Sequence, residues 1–179
     1  MTLRLSRDTQ LCISLSARPS NVGTRFHNYL YEQLGLDFVY KAFAPTDIAA
    51  AVAGIRGLGI RGAAVSMPYK QAVIPLIDEV DSTASVINAV NTIVNTSGHL
   101  KGFNTDFIAV RQLLGDAAIH PDASVLVLGS GGMARAVIAA VQDVGLNNRF
   151  INARNSEAAT ALATQYSAQV TMCSPGALG

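Results

Sequence analysis

Tryptophan is absent from these 179 residues, and aromatic side chains make up only 6% of them. A platform of rings on which the bases of a single strand could stack is therefore lacking. Charge is scarce too: Lys and Arg number 13 against 12 Asp and Glu, a formal net charge of +1. That balance supplies no pull toward nucleic acid or an anionic membrane surface. The two cysteines, Cys12 and Cys173, make neither a disulfide framework nor a metal site, and they suit a reducing compartment. No run approaches the roughly 20 apolar residues of a membrane span. Asp8 interrupts the stretch after Arg4 and Arg7 before a signal-peptide core could form. Half of the chain is nonetheless apolar, the reverse of a disordered composition. The expectation is a soluble, cytoplasmic α/β protein of one sizeable domain or two small ones, with no nucleic-acid partner, no membrane partner and no metal.

Apolar runs of strand length alternate with helix-like stretches, which favours a parallel sheet covered by helices. The first strand is expected over residues 11–15, followed by a polar loop over 16–23 and a helix over 24–34 that Gly35 ends. Residues 38–43 read as the next strand, and Pro45-Thr46-Asp47 opens a second helix with Thr46 as its expected cap. A short buried strand at 63–66 leads to Met67-Pro68, where a helix carrying Lys70 is expected to begin. Residues 90–95 and 99–103 flank Thr96-Ser97-Gly98 as a hairpin, and a helix follows over 105–114. The stretch 115–122 is mixed in pattern, carries Pro121, and is the expected domain boundary. Beyond it come a strand at 125–128, a helix at 133–144, a strand at 149–152, a helix at 156–166 and a strand at 169–172.

The strand at 125–128 runs directly into Gly129-Ser130-Gly131-Gly132, with Met133 opening the next helix. Glycines let the backbone turn sharply and approach a pyrophosphate with no Cβ in the way. The helix start then offers N–H groups and a partial positive charge to phosphates. A purely structural turn is the plain alternative, but strand and helix flank the glycines as a dinucleotide site requires. An NAD site usually offers a carboxylate to the ribose at the end of the second strand. Here Asn152-Ala153-Arg154-Asn155 stands there, with no acid before Glu157. Arg154 can grip a 2′-phosphate through its planar fork of donors, which points to NADP; otherwise it is a solvated arginine.

Polar clusters sit at the expected strand ends of the first part: Ser14 with Ser16, Ser66 with Lys70, Asn91 with Thr92, and Asn104 with Asp106. Ligands in an open α/β sheet collect beyond the carboxyl ends of strands. Singly, each has a plain reading: serines cap helices, Asn-Thr makes turns, Lys is solvated, and Asp106 suits the positive end of a helix. Together they have a chemical logic. Reducing a ketone to a secondary alcohol requires an acid to protonate the developing alkoxide, and the reverse reaction requires a base. A lysine beside an aspartate can fill both roles, the carboxylate orienting the ammonium.

These segments resemble the shikimate dehydrogenase family, whose members reduce 3-dehydroshikimate with NADPH. Ser14-Leu15-Ser16 resembles a Ser-x-Ser that binds the substrate carboxylate. Val65-Ser66-Met67-Pro68-Tyr69-Lys70 is similar to the segment whose lysine is catalytic. Ala89-Val90-Asn91-Thr92-Ile93 resembles one whose asparagine contacts substrate hydroxyls, and Gly102-Phe103-Asn104-Thr105-Asp106 one that carries a catalytic aspartate. Gly129-Ser130-Gly131-Gly132, with Met133 behind it, and Arg154 fall where the family binds NADP. The six segments keep the family order. The resemblance implies Lys70 and Asp106 as catalytic, and Ser14, Ser16, Ser66 and Asn91 as substrate contacts. It also implies an open α/β substrate domain over 1–115 and an incomplete Rossmann NADP-binding domain over 122–179. As a monomer or homodimer, the enzyme would take shikimate or quinate as its small-molecule substrate.

Departures fall on the substrate side. Ala17 stands where the family has proline, and His27-Asn28 comes late, so a longer loop is expected over 18–26 with His27 as a helix residue. Ala64 replaces a common asparagine, Ser66 a threonine, and Phe107 a glycine. They resemble the shikimate-dehydrogenase-like branch more than the main biosynthetic one. The family continues past the position of Gly179 by about half a domain, so activity is expected of a full-length form. A regulatory homologue that binds NADP or the ligand without turnover is the alternative. It would need neither Lys70 nor Asp106 for proton transfer. A folate-type methylene dehydrogenase shares the two-domain plan, but Ser-x-Ser and Asn-Thr-Asp argue against it.

Overall fold

The computed structural model describes residues 5–171. By its internal contacts the chain divides into two compact units, the first ending at Asn104 and the second beginning at Thr105. The stretch 115–122, where the sequence suggests a boundary, comes one helix later.

In the first unit, strands β1 (Gln10–Leu15), β2 (Phe38–Phe43), β3 (Gly62–Val65), β4 (Glu79–Val80), β5 (Thr92–Thr96) and β6 (His99–Phe103) form one sheet in the order β2-β1-β3-β5-β6-β4. The sheet is mixed rather than all parallel. β1 runs parallel to β2 and β3, whereas β5 is antiparallel to both β3 and β6. Alternation along β1 sends Ile13 and Leu15 into the core and Cys12 and Ser14 to the other face. Helix α2 (Ile48–Gly57) buries Val52 and Ile55 in a core cluster with Ile13, Leu15, Val65, Ile93 and Leu100.

Helix α1 (Asn21–Gln33) starts earlier than the sequence suggests, with Ser20 as its N-cap residue, so most of the expected long loop is helical. His27 lies in it, its ring stacked on Tyr40 at 4.3 Å, and burial holds its imidazole below the ordinary pKa. The Asn28 amide donates to the Tyr40 carbonyl at 2.8 Å and accepts from the Tyr40 N–H at 2.9 Å. A side chain thus stands in for a strand along edge strand β2, satisfying backbone groups that would otherwise be unpaired. The cap of α2 is Asp47, which accepts from the N–H groups of Ala49 at 2.8 Å and Ala50 at 3.1 Å; Thr46 lies one residue too early.

Residues 67–73 form turns instead of the expected helix, ending in a 3₁₀ segment, Ile74–Leu76. Pro68 disfavours a helical residue before it, and Pro75 has no N–H to continue an α-helical ladder. The β5–β6 hairpin forms as the sequence suggests, with Ser97 and Gly98 both left-handed (φ 52° and 92°), as a two-residue turn requires. A short helix α3 (Ser82–Ser85) follows β4.

The second unit holds α4 (Thr105–Asp116), β7 (Ser124–Leu128), α5 (Gly132–Asp143), β8 (Asn148–Asn152), α6 (Ser156–Gln165) and β9 (Gln169–Val170). Its strands are parallel in the order β7-β8-β9, the alternating βαβαβ of a Rossmann-type half. Arg149, 7% exposed, donates to the carbonyls of Leu146 at 2.8 Å and Tyr166 at 3.1 Å. Met172 and Cys173 lie outside the described residues. No helix among the described residues is long and apolar enough to cross a membrane.

Candidate functional site

Because β5 runs against β3, and β6 against β5, the start of β5 and the end of β6 share a sheet edge with the ends of β1 and β3. Hydrogen bonds beyond those ends tie the loops together. Ser66 N–H donates to the Leu15 carbonyl at 2.9 Å, and Ala17 N–H to Met67 at 3.2 Å. Val65 N–H donates to Asn91 at 2.7 Å, Asn91 N–H to Phe103 at 3.0 Å, and Val90 N–H to Lys70 at 2.8 Å. Ser14, Ser16, Ser66, Lys70 and Asn91 are thereby gathered along one edge of the first unit. Lys70 projects from the turn rather than from a helix.

Ser14 sits in register with Ala64, Ala64 with Thr92, and Thr92 with Phe103, so this row crosses the sheet on one face. Burial raises the Tyr40 phenol above its ordinary pKa, while hydrogen bonding from the neighbouring Ser14 hydroxyl pulls it the other way. Asn91 is buried, and the Thr92 hydroxyl donates to its Oδ1 at 2.9 Å. Asn104 is held more firmly still: 1% exposed, its amide donates to the Ala89 carbonyl at 2.9 Å and its N–H to Thr83 Oγ1 at 3.2 Å. Thr83, which with Ala89 holds the end of β6, has no assignment from the sequence because residues 71–88 carry no clear period. Thr83 donates in turn to Asp81 Oδ1 at 2.9 Å, so the Asp-x-Thr spacing was the signal available.

Asp106 belongs to the second unit, half-buried in the first turn of α4. Gly129, Ser130 and Gly131 link β7 to α5, and Gly132 and Met133 are the first two residues of α5. Gly129 takes φ 114°, a conformation L side chains rarely adopt, and its N–H donates to the Asn152 carbonyl at 2.7 Å. The end of β7 is thus joined to the end of β8, two residues before Arg154, which is exposed. The N-cap of α5, Gly131, makes no side-chain capping bond. A β-carbon built on Gly131 or Gly132 meets nothing within 4 Å. Open space before the N–H groups of a helix start fits a pyrophosphate, and the Arg154 fork fits a further phosphate. The residues suit a phosphorylated dinucleotide.

Fold and strand-end arrangement together define an α/β protein of two units, a mixed-sheet unit followed by a Rossmann-type one. Residues 20–93 match the shikimate dehydrogenase substrate binding domain. The shikimate dehydrogenase-like protein of Haemophilus influenzae is 52% identical over 162 residues, 90% of this chain and 60% of that protein. The NADP⁺ shikimate dehydrogenase of Moorella thermoacetica is 44% identical over 140 residues, 76% of this chain and 48% of the relative. Among solved structures, a shikimate 5-dehydrogenase-like protein superposes with TM-score 0.91 at 48% identity, covering 97% of this chain and 64% of that one. Shikimate 5-dehydrogenase from Thermus thermophilus, in complex with NADP(H) and shikimate, gives 0.80 at 30% identity, over 91% and 63%. Quinate dehydrogenase from Corynebacterium glutamicum, in complex with NAD, gives 0.81 at 26% identity, over 91% and 64%. Residues 20–93 thus carry the substrate binding domain of the shikimate dehydrogenase family, and the chain spans less than two thirds of the length of these relatives.

Proposed function

We propose that this chain carries the substrate- and cofactor-binding parts of an NADP-dependent oxidoreductase. The reaction is interconversion of shikimate and 3-dehydroshikimate, or of a close cyclic hydroxy acid such as quinate. The observation that carries the reading is the set of backbone bonds that draws Ser16, Ser66, Lys70 and Asn91 to one sheet edge. Support also comes from relatives named as NADP⁺ shikimate dehydrogenases and from a neighbour solved with NADP(H) and shikimate.

In this reading the Ser14 and Ser16 hydroxyls donate to the substrate carboxylate, and Ser66 and Asn91 hold ring hydroxyls. The Lys70 ammonium donates a proton to the carbonyl oxygen as negative charge develops there, and Asp106 orients it. In the oxidative direction the proton returns from the hydroxyl to the neutral amine. Gly129, Ser130, Gly131, Gly132 and Met133 receive the pyrophosphate and Arg154 the 2′-phosphate. NADPH, when bound, supplies the hydride. Absorbance assays of the full-length protein with shikimate and quinate, each with NADP⁺ and NAD⁺, test the reading. Reduction of NADP⁺ by one of the two acids is expected. No turnover with either, alongside measurable NADP binding, would favour a regulatory homologue.

A further inference from the structure

Lys70 sits on a turn, so no regular helix fixes it, yet an acid–base group must be held to within a fraction of an ångström. The loops around it are joined pairwise. The loop after β1 is bonded to the end of β2 through Ser16 N–H and the Phe43 carbonyl at 3.1 Å. It is bonded to the loop after β3 through Ser66 N–H to Leu15 and Ala17 N–H to Met67, at 2.9 and 3.2 Å. β2 and β3 are not neighbours, since β1 lies between them, so no ladder of backbone bonds joins them directly. The Tyr69 side chain spans that gap: its hydroxyl donates to the Pro45 carbonyl at 3.2 Å. The acceptor sits on a firm base, because Asp47, two residues on, caps α2. The Tyr69 ring also packs on the core cluster.

We infer that Tyr69 is a positioning residue for Lys70, its phenol closing a ring of three loops so that the lysine keeps its place beside Ser16 and Ser66. The role rests on the function proposed above. Tyr69→Phe keeps the ring in the core and removes only the tether. A misplacement of roughly 1 Å can cost 10²-fold in rate, so kcat should fall about tenfold, with substrate KM and cofactor Kd within about twofold of the parent.

Reactivity of the lysine supplies a readout independent of turnover. The chain has three lysines, Lys41, Lys70 and Lys101. Acetic anhydride labelling read by mass spectrometry, with Lys41 and Lys101 as references, should show the Lys70 rate change several-fold in Tyr69→Phe and the others stay constant. Unchanged Lys70 labelling overturns the inference, as does a rate change shared by all three lysines together with a fall in Tm, which marks general loosening. If Lys70→Ala leaves turnover intact while Tyr69→Phe still alters Lys70 labelling alone, the catalytic assignment fails and the tether stands.

Discussion

Arg154 lies two residues past the end of β8, exposed and beside the glycine turn that Gly129 bonds to Asn152. Neighbours of this fold have been solved with NADP(H) and with NAD, so the preference must come from particular side chains rather than from the fold. A guanidinium adds a charge-assisted fork that only a 2′-phosphate can use. Arg154→Ala should weaken NADP binding by about 1.5–3 kcal/mol and leave NAD nearly unchanged, as titration calorimetry with both cofactors will show. An equal loss for the two would assign the side chain to the fold instead. The glycine turn between β7 and α5 was legible in the sequence because strand, glycines and helix follow one another directly. Tyr69 was not, because its partner, Pro45, is distant in sequence and reachable only once β1 is known to separate β2 and β3.

Strands and hairpins with a clear period were legible to within a residue or two: β1, β2, β8 and the Ser97-Gly98 turn all fall where alternation and turn chemistry put them. The failures have local causes. Thr46 and Asp47 are adjacent capping residues of comparable propensity, and only the backbone shows that Asp47 receives the N–H groups of Ala49 and Ala50. Asp47→Ala should therefore cost about 1 kcal/mol of stability, with Thr46→Ala close to neutral, compared by thermal melts. β4 is two residues long, too short for any period to register; charged side chains fasten it. Asp78, just before it, accepts from Arg56 Nη1 and from Leu100 N–H, both at 2.7 Å, and the Arg56 bond foremost holds its carboxyl below the usual value. A carboxylate depressed in the folded state stabilises above its unfolded pKa, and that contribution is lost as pH falls through the folded pKa. Asp78→Asn should lower the urea midpoint at neutral pH. The gap from the parent should begin to close below the ordinary carboxylate range and vanish once Asp78 itself is protonated. A gap that stays constant down to about pH 2 would mean the amide disturbs β4 by shape rather than by charge.

At the scale of the whole molecule, the proposed proton-transfer pair has one member in each compact unit: Lys70 on the turn after β3, and Asp106 on the first turn of α4, just past Asn104. The order of motifs along the chain shows both residues but not that a unit boundary runs between them, because a boundary is a property of contacts. Asn104 is the last residue of the first unit, its amide and N–H bonded to Ala89 and Thr83. If the two residues act as one acid–base unit, Lys70→Ala should lower kcat by about 10²–10⁴, with a much smaller change in KM. Asp106→Asn should lower kcat as well, since an amide cannot serve as a charged partner to the ammonium. The double variant should then be less impaired than the product of the two single losses, because each substitution already removes part of what the other supplies. Steady-state kinetics of the full-length protein and the three variants make the comparison. Multiplicative losses would mean that Lys70 and Asp106 contribute independently rather than as a pair, whereas an unchanged kcat in Asp106→Asn would leave Asp106 a carboxylate favoured by the start of α4. Near-normal turnover in Lys70→Ala would end the catalytic assignment of both.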